Sequence, residues 1–174
     1  DVYKRQQHCP PMLWIALQFP LLPLEIFLRG MPTPEPFAVA EGLQVLACDG
    51  KAWHRGVRPG LSVPAAQALS QRLIVRPRDA AAETEALLGM AAWARQFTPA
   101  VALEFPDMLL LEIGGSLKLL GGLPAIEARL QRELEAMGFS IRVACAPTAR
   151  AAGWMAMAAK SGNAGSCTPE SLAT

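Results

Sequence analysis

This chain has little of what most active sites are made of. Of its 174 residues only two are histidine, His8 and His54, and one is tyrosine. The four cysteines, Cys9, Cys48, Cys145 and Cys167, are far apart and form no CxxC pair, and the histidines do not cluster with them. That spacing excludes a zinc ribbon and a disulfide scaffold, and fits small buried hydrophobes in a reducing, cytoplasmic compartment. Charge of one sign is also lacking, with 16 Lys and Arg against 15 Asp and Glu and a net charge of +1. No global field therefore draws the molecule to nucleic acid or to an anionic membrane, and any DNA contact has to rest on a local patch. Long apolar runs are missing as well. The one candidate, Met12 to Leu28, contains Gln18, Pro20, Pro23 and Glu25. It falls short of the roughly 20 clean apolar residues of a span and is followed by no small-residue cleavage site, so membrane anchor and secretion signal are both excluded.

What is present suffices for a core: 52% of the residues are hydrophobic, and the length fits one domain or one and a half. The leader DVYKRQQHCPP does not fit the rest of the chain, so residues 1–11 are expected to be non-native, with the natural start at Met12. The last stretch, SGNAGSCTPESLAT, is loop-like without a closing element, as expected of a fragment. Leu13 to Leu17 reads as a short buried strand, and Pro20 to Leu28 as a turn into a helix. Phe37 to Ala40 and Leu43 to Cys48 suggest a hairpin about Glu41-Gly42. Ser62 is the expected N-cap of a helix to Gln71 with Ala65, Ala66 and Leu69 on one face. Leu73 to Val75 is a strand, and Asp79 caps a helix to about Phe97 with Leu87, Leu88, Ala91 and Ala94 inward. Strands 100–105 and 108–113 flank the turn at Pro106-Asp107. Helix 124–137 places Ile126, Leu130 and Leu134 at core spacing and stops at Gly138. Strand 140–146 and helix 149–160 come next. The order predicts an α+β fold, an antiparallel or mixed sheet with helices on one face, with residues 33–76 as an insertion.

Chemistry is hard to find in this frame. The turn GVRPGLSVPAAQAL lacks the Lys and Ser or Thr of a phosphate-binding P-loop, and the glycine pairs of EIGGSLKLLGG read as turns. Glu104, Asp107 and Glu112 are the candidate acids; alternation turns Glu104 and Glu112 to solvent, and one carboxylate cannot hold two ions. No serine elbow, HExxH pair or Ser/His/Asp set exists. Trp14, Trp53, Trp93 and Trp154 could stack bases, although Trp93 and Trp154 fall within apolar helices and read as core or interface.

Taken in order, MLWIALQFPLLPLE, GVRPGLSVPAAQAL, LIVRPRD, VALEFPDMLLLEIGGSLKLLGG and IRVACAPTARAA resemble the Y-family translesion DNA polymerases, and more narrowly the degenerate ImuB-like subgroup, from Met12 to about Lys160. The resemblance implies a ferredoxin-like palm sheet with inserted fingers: palm from 12 to 34, fingers over 35–76, palm again over 77–174, with thumb and little finger beyond Thr174. Active members carry a metal-binding Asp in a first-strand pattern like VDMDCFFASVE. Set against IALQFPLLPLE, that Asp falls on Ala16, the second on Gln18, and the aromatic gate against ribonucleotides on Leu21. In the pattern like SLDEAYLD, Asp107 keeps one acid and Met108 replaces the catalytic Glu. The Tyr and Arg that grip the triphosphate fall on Gly50 and Trp53, and the Lys of the last helix on Gly153. The resemblance therefore implies no catalytic residue, metal or cofactor, and an adaptor that links DNA, the sliding clamp, a RecA-like partner and an error-prone replicative-type polymerase. The alternative is an active polymerase, which would bind Mg²⁺ and would need Glu104 and Glu112 to face the same side as Ala16.

Overall fold

A computed structural model of the chain describes residues 12–29 and 33–159. The expected leader, with His8 and Cys9, and the final loop-like stretch with Cys167 lie outside the described residues. The elements in chain order are β1 (Trp14–Gln18), α1 (Leu22–Leu28), β2 (Phe37–Glu41), β3 (Gln44–Cys48), α2 (Gly50–His54), α3 (Val63–Leu69), β4 (Ile74–Pro77), α4 (Ala80–Ala94), β5 (Val101–Glu104), β6 (Met108–Glu112), α5 (Leu123–Ala136), β7 (Arg142–Ala146) and α6 (Ala149–Ala158). They divide into two compact units, one of residues 12–18, 87–133 and 141–159, the other of residues 19–86 and 134–140.

The first unit is built on a four-stranded sheet in the order β5-β6-β1-β7, with every neighbouring pair antiparallel. β1 and β5 therefore run parallel with β6 between them, and β6 and β7 run parallel with β1 between them. These are the two split βαβ units of the expected ferredoxin-like sheet. β1 reads WIALQ without apolar-polar alternation because both of its faces are covered: Ile15, Ala16 and Leu17 are all fully buried. On one face Ile15 and Leu17 lie beside Leu109, Leu111, Val143 and Cys145, all buried. Here α5 is tied to the sheet by Glu127 Oε1, which accepts from Cys145 Sγ at 3.0 Å. The other face carries Ala16, Met108, Leu110, Ala144 and Ala146 beneath α6, which contributes Ala152 and Ala156. The expectation of helices on one face is thus refined: α6 adds a third layer, made possible by the run of alanines that lets a helix sit close to the strands.

In α4 the inward positions are Leu87, Met90, Ala94 and, just past its end, Phe97, whereas Leu88 is half exposed. The expectation for Leu88 fails because α4 is apolar on every side, so spacing alone cannot choose its buried face. Helix α5 is amphipathic and keeps the predicted Ile126, Leu130 and Leu134 inside. Gly138 follows it at φ +85° and donates its N–H to Glu135 O at 2.9 Å.

The second unit has its own sheet, in the order β3-β2-β4. The β2–β3 hairpin turns at Gly42, with φ +59°, a left-handed value that glycine adopts without Cβ strain. β4 returns parallel to β2, and α2 and α3 make the crossover. Asp49 Oδ1 caps α2 by accepting from Ala52 N at 2.8 Å, and Ser62 caps α3 as predicted. Their buried residues Ala52 and Ala66 join Ala38, Val45, Val57 and Leu73 in one cluster. Ala65 and Leu69, expected on the same inward face as Ala66, are exposed; a helix of seven residues against a narrow sheet buries a single alanine. Helix α1 closes a second cluster of Leu24, Phe37, Val39 and Ala47, with Phe27 packed against Phe37. Arg78 forks onto buried Glu83 with two bonds of 2.9 and 2.8 Å, and reaches Glu41 at 3.0 Å.

Candidate functional site

The register decides which residues share a face. Gln18 lies opposite Met108 on one side and Arg142 on the other, and Ala16 opposite Leu110 and Ala144. Directly opposed residues point the same way, so Ala16, Gln18, Met108 and Arg142 share the α6 face. Ala16 is fully buried and Met108 is 3% exposed, both inside the apolar cluster closed by α6. Gly153 faces them from that helix. A Cβ built there would lie 3.2 Å from Met108 Sδ and 3.7 Å from Glu104 Oε2. The thioether thus fills the space into which a longer side chain at 153 would begin.

Asp107, the one acid among the expected site positions, has a protein partner. Gln18 Nε2 donates to Asp107 Oδ2 at 3.2 Å, and Gln18 Oε1 accepts from Arg142 Nη1 at 3.5 Å. A primary amide both donates and accepts, so Gln18 bridges an anion and a cation. Sequence reasoning singled out Asp107 but missed Arg142, whose only signal is its place at the start of β7.

The outward orientation expected of Glu104 and Glu112 is only half right. Both lie on the Ala16 face by register, because Glu104 opposes Met108 and Glu112 opposes Trp14. Glu104 is exposed, and Glu112 Oε1 is held by the backbone N–H groups of Gly114 at 2.9 Å and Leu13 at 3.4 Å. Glu104, on β5, lies beside Met108 at one end of β6, and Glu112 lies at the other end, about 13 Å further along the strand. They cannot close on the same ions. Mg²⁺ demands a near-octahedral set of oxygens at about 2.0–2.1 Å. Ala16 and Met108 supply none, and among the described residues no three His, Cys, Asp or Glu side chains converge as metal ligands. The side chains present do not fit a two-ion centre.

The remaining expected positions fall in the second unit, apart from Gly153. Leu21 precedes α1, is about one-third exposed and offers no side-chain cap. Gly50 opens α2 and Trp53 sits within it, 49% exposed. The guanidinium of Arg58 lies over the Trp53 ring, 3.9 Å from its centroid. Glu25, a mere landmark in the sequence, is buried in this unit: Oε1 accepts from Ser140 N at 2.9 Å and Oε2 has no partner among the described residues. Burial pushes its carboxyl above the ordinary value of 4.5, against the opposing effect of the Ser140 bond. No helix among the described residues is long and apolar enough to cross a membrane.

Comparison with known proteins agrees with this architecture. The model of the impB/mucB/samB family matches residues 26–158. Protein ImuB of Caulobacter vibrioides (strain NA1000 / CB15N) is 38% identical over 97 residues, which is 56% of this chain and 21% of that protein. A ternary complex of Dbh superimposes with a TM-score of 0.75 at 17% identity, covering 92% of this chain and 49% of its own. DinB from Sulfolobus solfataricus gives a TM-score of 0.68 at 19% identity, covering 92% and 50%. At such identities the two structures speak for the fold alone. The chain spans 21% of the length of the curated relatives it matches and about half of these solved chains.

Proposed function

The chain belongs to the impB/mucB/samB family, and on that premise we propose that it is the palm and fingers of a Y-family polymerase homologue that no longer polymerises. The carrying observation is the burial of Ala16 and Met108 in one apolar cluster under α6. Phosphoryl transfer in such a site depends on paired ions that neutralise charge and align the attacking and leaving oxygens. Where the resemblance puts two of the three acids, this chain has a methyl group and a thioether, and the third acid is engaged by Gln18. Further support comes from the triphosphate positions: Gly50, Trp53 and Gly153 lack the hydroxyl and the two cations that would hold an incoming nucleotide.

A domain that keeps the fold and loses the reaction serves as a scaffold. We assign it to damage-tolerance DNA synthesis, where it links DNA, the sliding clamp and a RecA-like partner to an error-prone replicative-type polymerase that does the chemistry. In this reading residues 35–76 are the fingers and the rest is palm, with no Mg²⁺ centre. The test is primer extension by the full-length gene product with Mg²⁺ and with Mn²⁺. No templated extension is expected, and robust extension that is lost in Asp107→Asn would overturn the assignment. Retention of the full-length product on immobilised clamp is expected, and its absence counts against the clamp link.

A further inference from the structure

We propose that α2 and the turn behind it form a binding surface for single-stranded nucleic acid, with Trp53 as the stacking platform and Arg55 and Arg58 as phosphate contacts. The surface lies within the second unit alone and does not depend on whether the palm is active.

The platform is preformed. An exposed tryptophan normally samples several rotamers, but here the Arg58 guanidinium lies 3.9 Å from the ring centroid. Arg58 is itself anchored, because Nη1 donates to Trp53 O at 2.6 Å and to Val57 O at 2.8 Å. A single nitrogen meets both carbonyls, which leaves Nε and Nη2 for an incoming acceptor. The short helix beneath is held by the Asp49 cap and by buried Ala52. A fixed ring with nearly half of its surface open to solvent is costly for a monomer to display and well suited to stacking on an unpaired base.

Charge points the same way. Lys51, His54, Arg55 and Arg58 are all exposed around Trp53. The one acid in this stretch, Asp49, is spent on the helix cap. Three arginines elsewhere are matched: Arg72 with Glu35, Arg78 with Glu41 and Glu83, and Arg129 with Glu133. Arg55 and Arg58 have no carboxylate partner among the described residues. In a chain of net charge +1 this is a local basic patch with an aromatic at its centre, the combination that tracks a phosphate backbone while stacking its bases. A duplex buries its base faces in the helix and cannot use the platform, so the surface selects unpaired strands.

Fluorescence anisotropy of a labelled oligo(dT) against a blunt duplex of equal length, with the whole chain, tests this. Tighter binding of the oligo(dT) is expected. Trp53→Ala should weaken it roughly 5- to 150-fold, the worth of one stacked base, while Trp53→Phe keeps most of the affinity. Arg55→Ala should flatten the plot of log affinity against log salt by about 0.7, one phosphate contact. Thermal melting of each variant separates lost binding from lost folding. Equal affinity for the duplex, or a folded Trp53→Ala that binds oligo(dT) unchanged, overturns the proposal. So does competition by polyglutamate at matched charge that displaces the strand as well as oligo(dT) does, since the patch would then read acidity alone. Loss of this patch would leave clamp retention and the absence of extension as they are, so the two readings fail separately.

Discussion

Placing a carboxylate at the centre of the sheet is the sharpest perturbation this structure offers. Ala16→Asp places a carboxyl at a fully buried position whose neighbours on that face are Met108, Leu110, Ala144, Ala152 and Ala156. In so apolar a site the charged form is disfavoured, and fully buried acids have their pKa raised by as much as about 3–5 units. At about 1.36 kcal/mol per unit between the unfolded value and pH 7, the penalty at neutral pH is roughly 4 kcal/mol, a large part of the 5–15 kcal/mol that holds a typical domain. The sign comes from linkage. A carboxyl whose folded pKa is raised contributes nothing below its unfolded value near 3.9, and its penalty grows as pH rises toward the folded value. Urea midpoints at pH 4 and pH 7.5 are therefore expected to diverge for Ala16→Asp. Ala16→Asn carries the same bulk without the charge, and its deficit should be the same at both pH values. Millimolar Mg²⁺ should not rescue the Asp variant, because Asp107 is engaged by Gln18 and Met108 offers no oxygen. If Ala16→Asp is as stable as the parent at pH 7.5, and Mg²⁺ raises its midpoint further, then a cation site survives there and the reasoning about a closed apolar cluster is refuted.

Three further outcomes can be checked by denaturation. Arg78→Ala removes the fork that neutralises Glu83, whose side chain is 4% exposed, and should destabilise by about 3 kcal/mol at neutral pH; a loss near zero would mean that water replaces the guanidinium. Gly138→Ala forces a left-handed φ on a residue whose Cβ would meet Arg29 Cβ at 2.9 Å, so a loss of more than roughly 1–2 kcal/mol is expected, and an unchanged urea midpoint would contradict it. Glu25 has its carboxyl pushed upward by burial, so its ionised form weakens the fold as pH rises above 4.5. Glu25→Gln should match the parent near pH 4 and gain on it in melting temperature as pH rises above 4.5, levelling off once the carboxyl is ionised, and parallel pH profiles would show that the burial is relieved in solution.

Much of the second unit is readable locally. Asp49 and Ser62 stand three residues before the amides they cap, and Glu41-Gly42 marks the hairpin between two strands that adjoin it in the chain. Gly138 after α5 is equally plain. These features depend on residues a few positions apart, so their chemistry is visible in the chain. The inward face of α4 was not readable, because Leu87, Leu88, Met90, Ala91, Trp93 and Ala94 offer apolar groups in every direction, and only packing distinguishes Met90 from Leu88. The direction of Glu104 and Glu112 was equally hidden. Alternation sorts residues into two faces of a strand but does not say that both faces are covered.

The sequence by itself determined which atoms are available: a methyl at Ala16, a thioether at Met108, no side chain at Gly153 and one carboxylate at Asp107. Those four positions offer a single carboxylate, at Asp107, however the chain folds. Only the tertiary structure decided that the four positions belong together. Gln18 and Asp107 are 89 residues apart in the chain, and their bond exists because β1 and β6 pair antiparallel in one particular register. A shift of one residue would turn Ala16 away from α6 and break the bridge to Arg142. Register is set by the sum of contacts across the sheet, and no single stretch of sequence carries that sum.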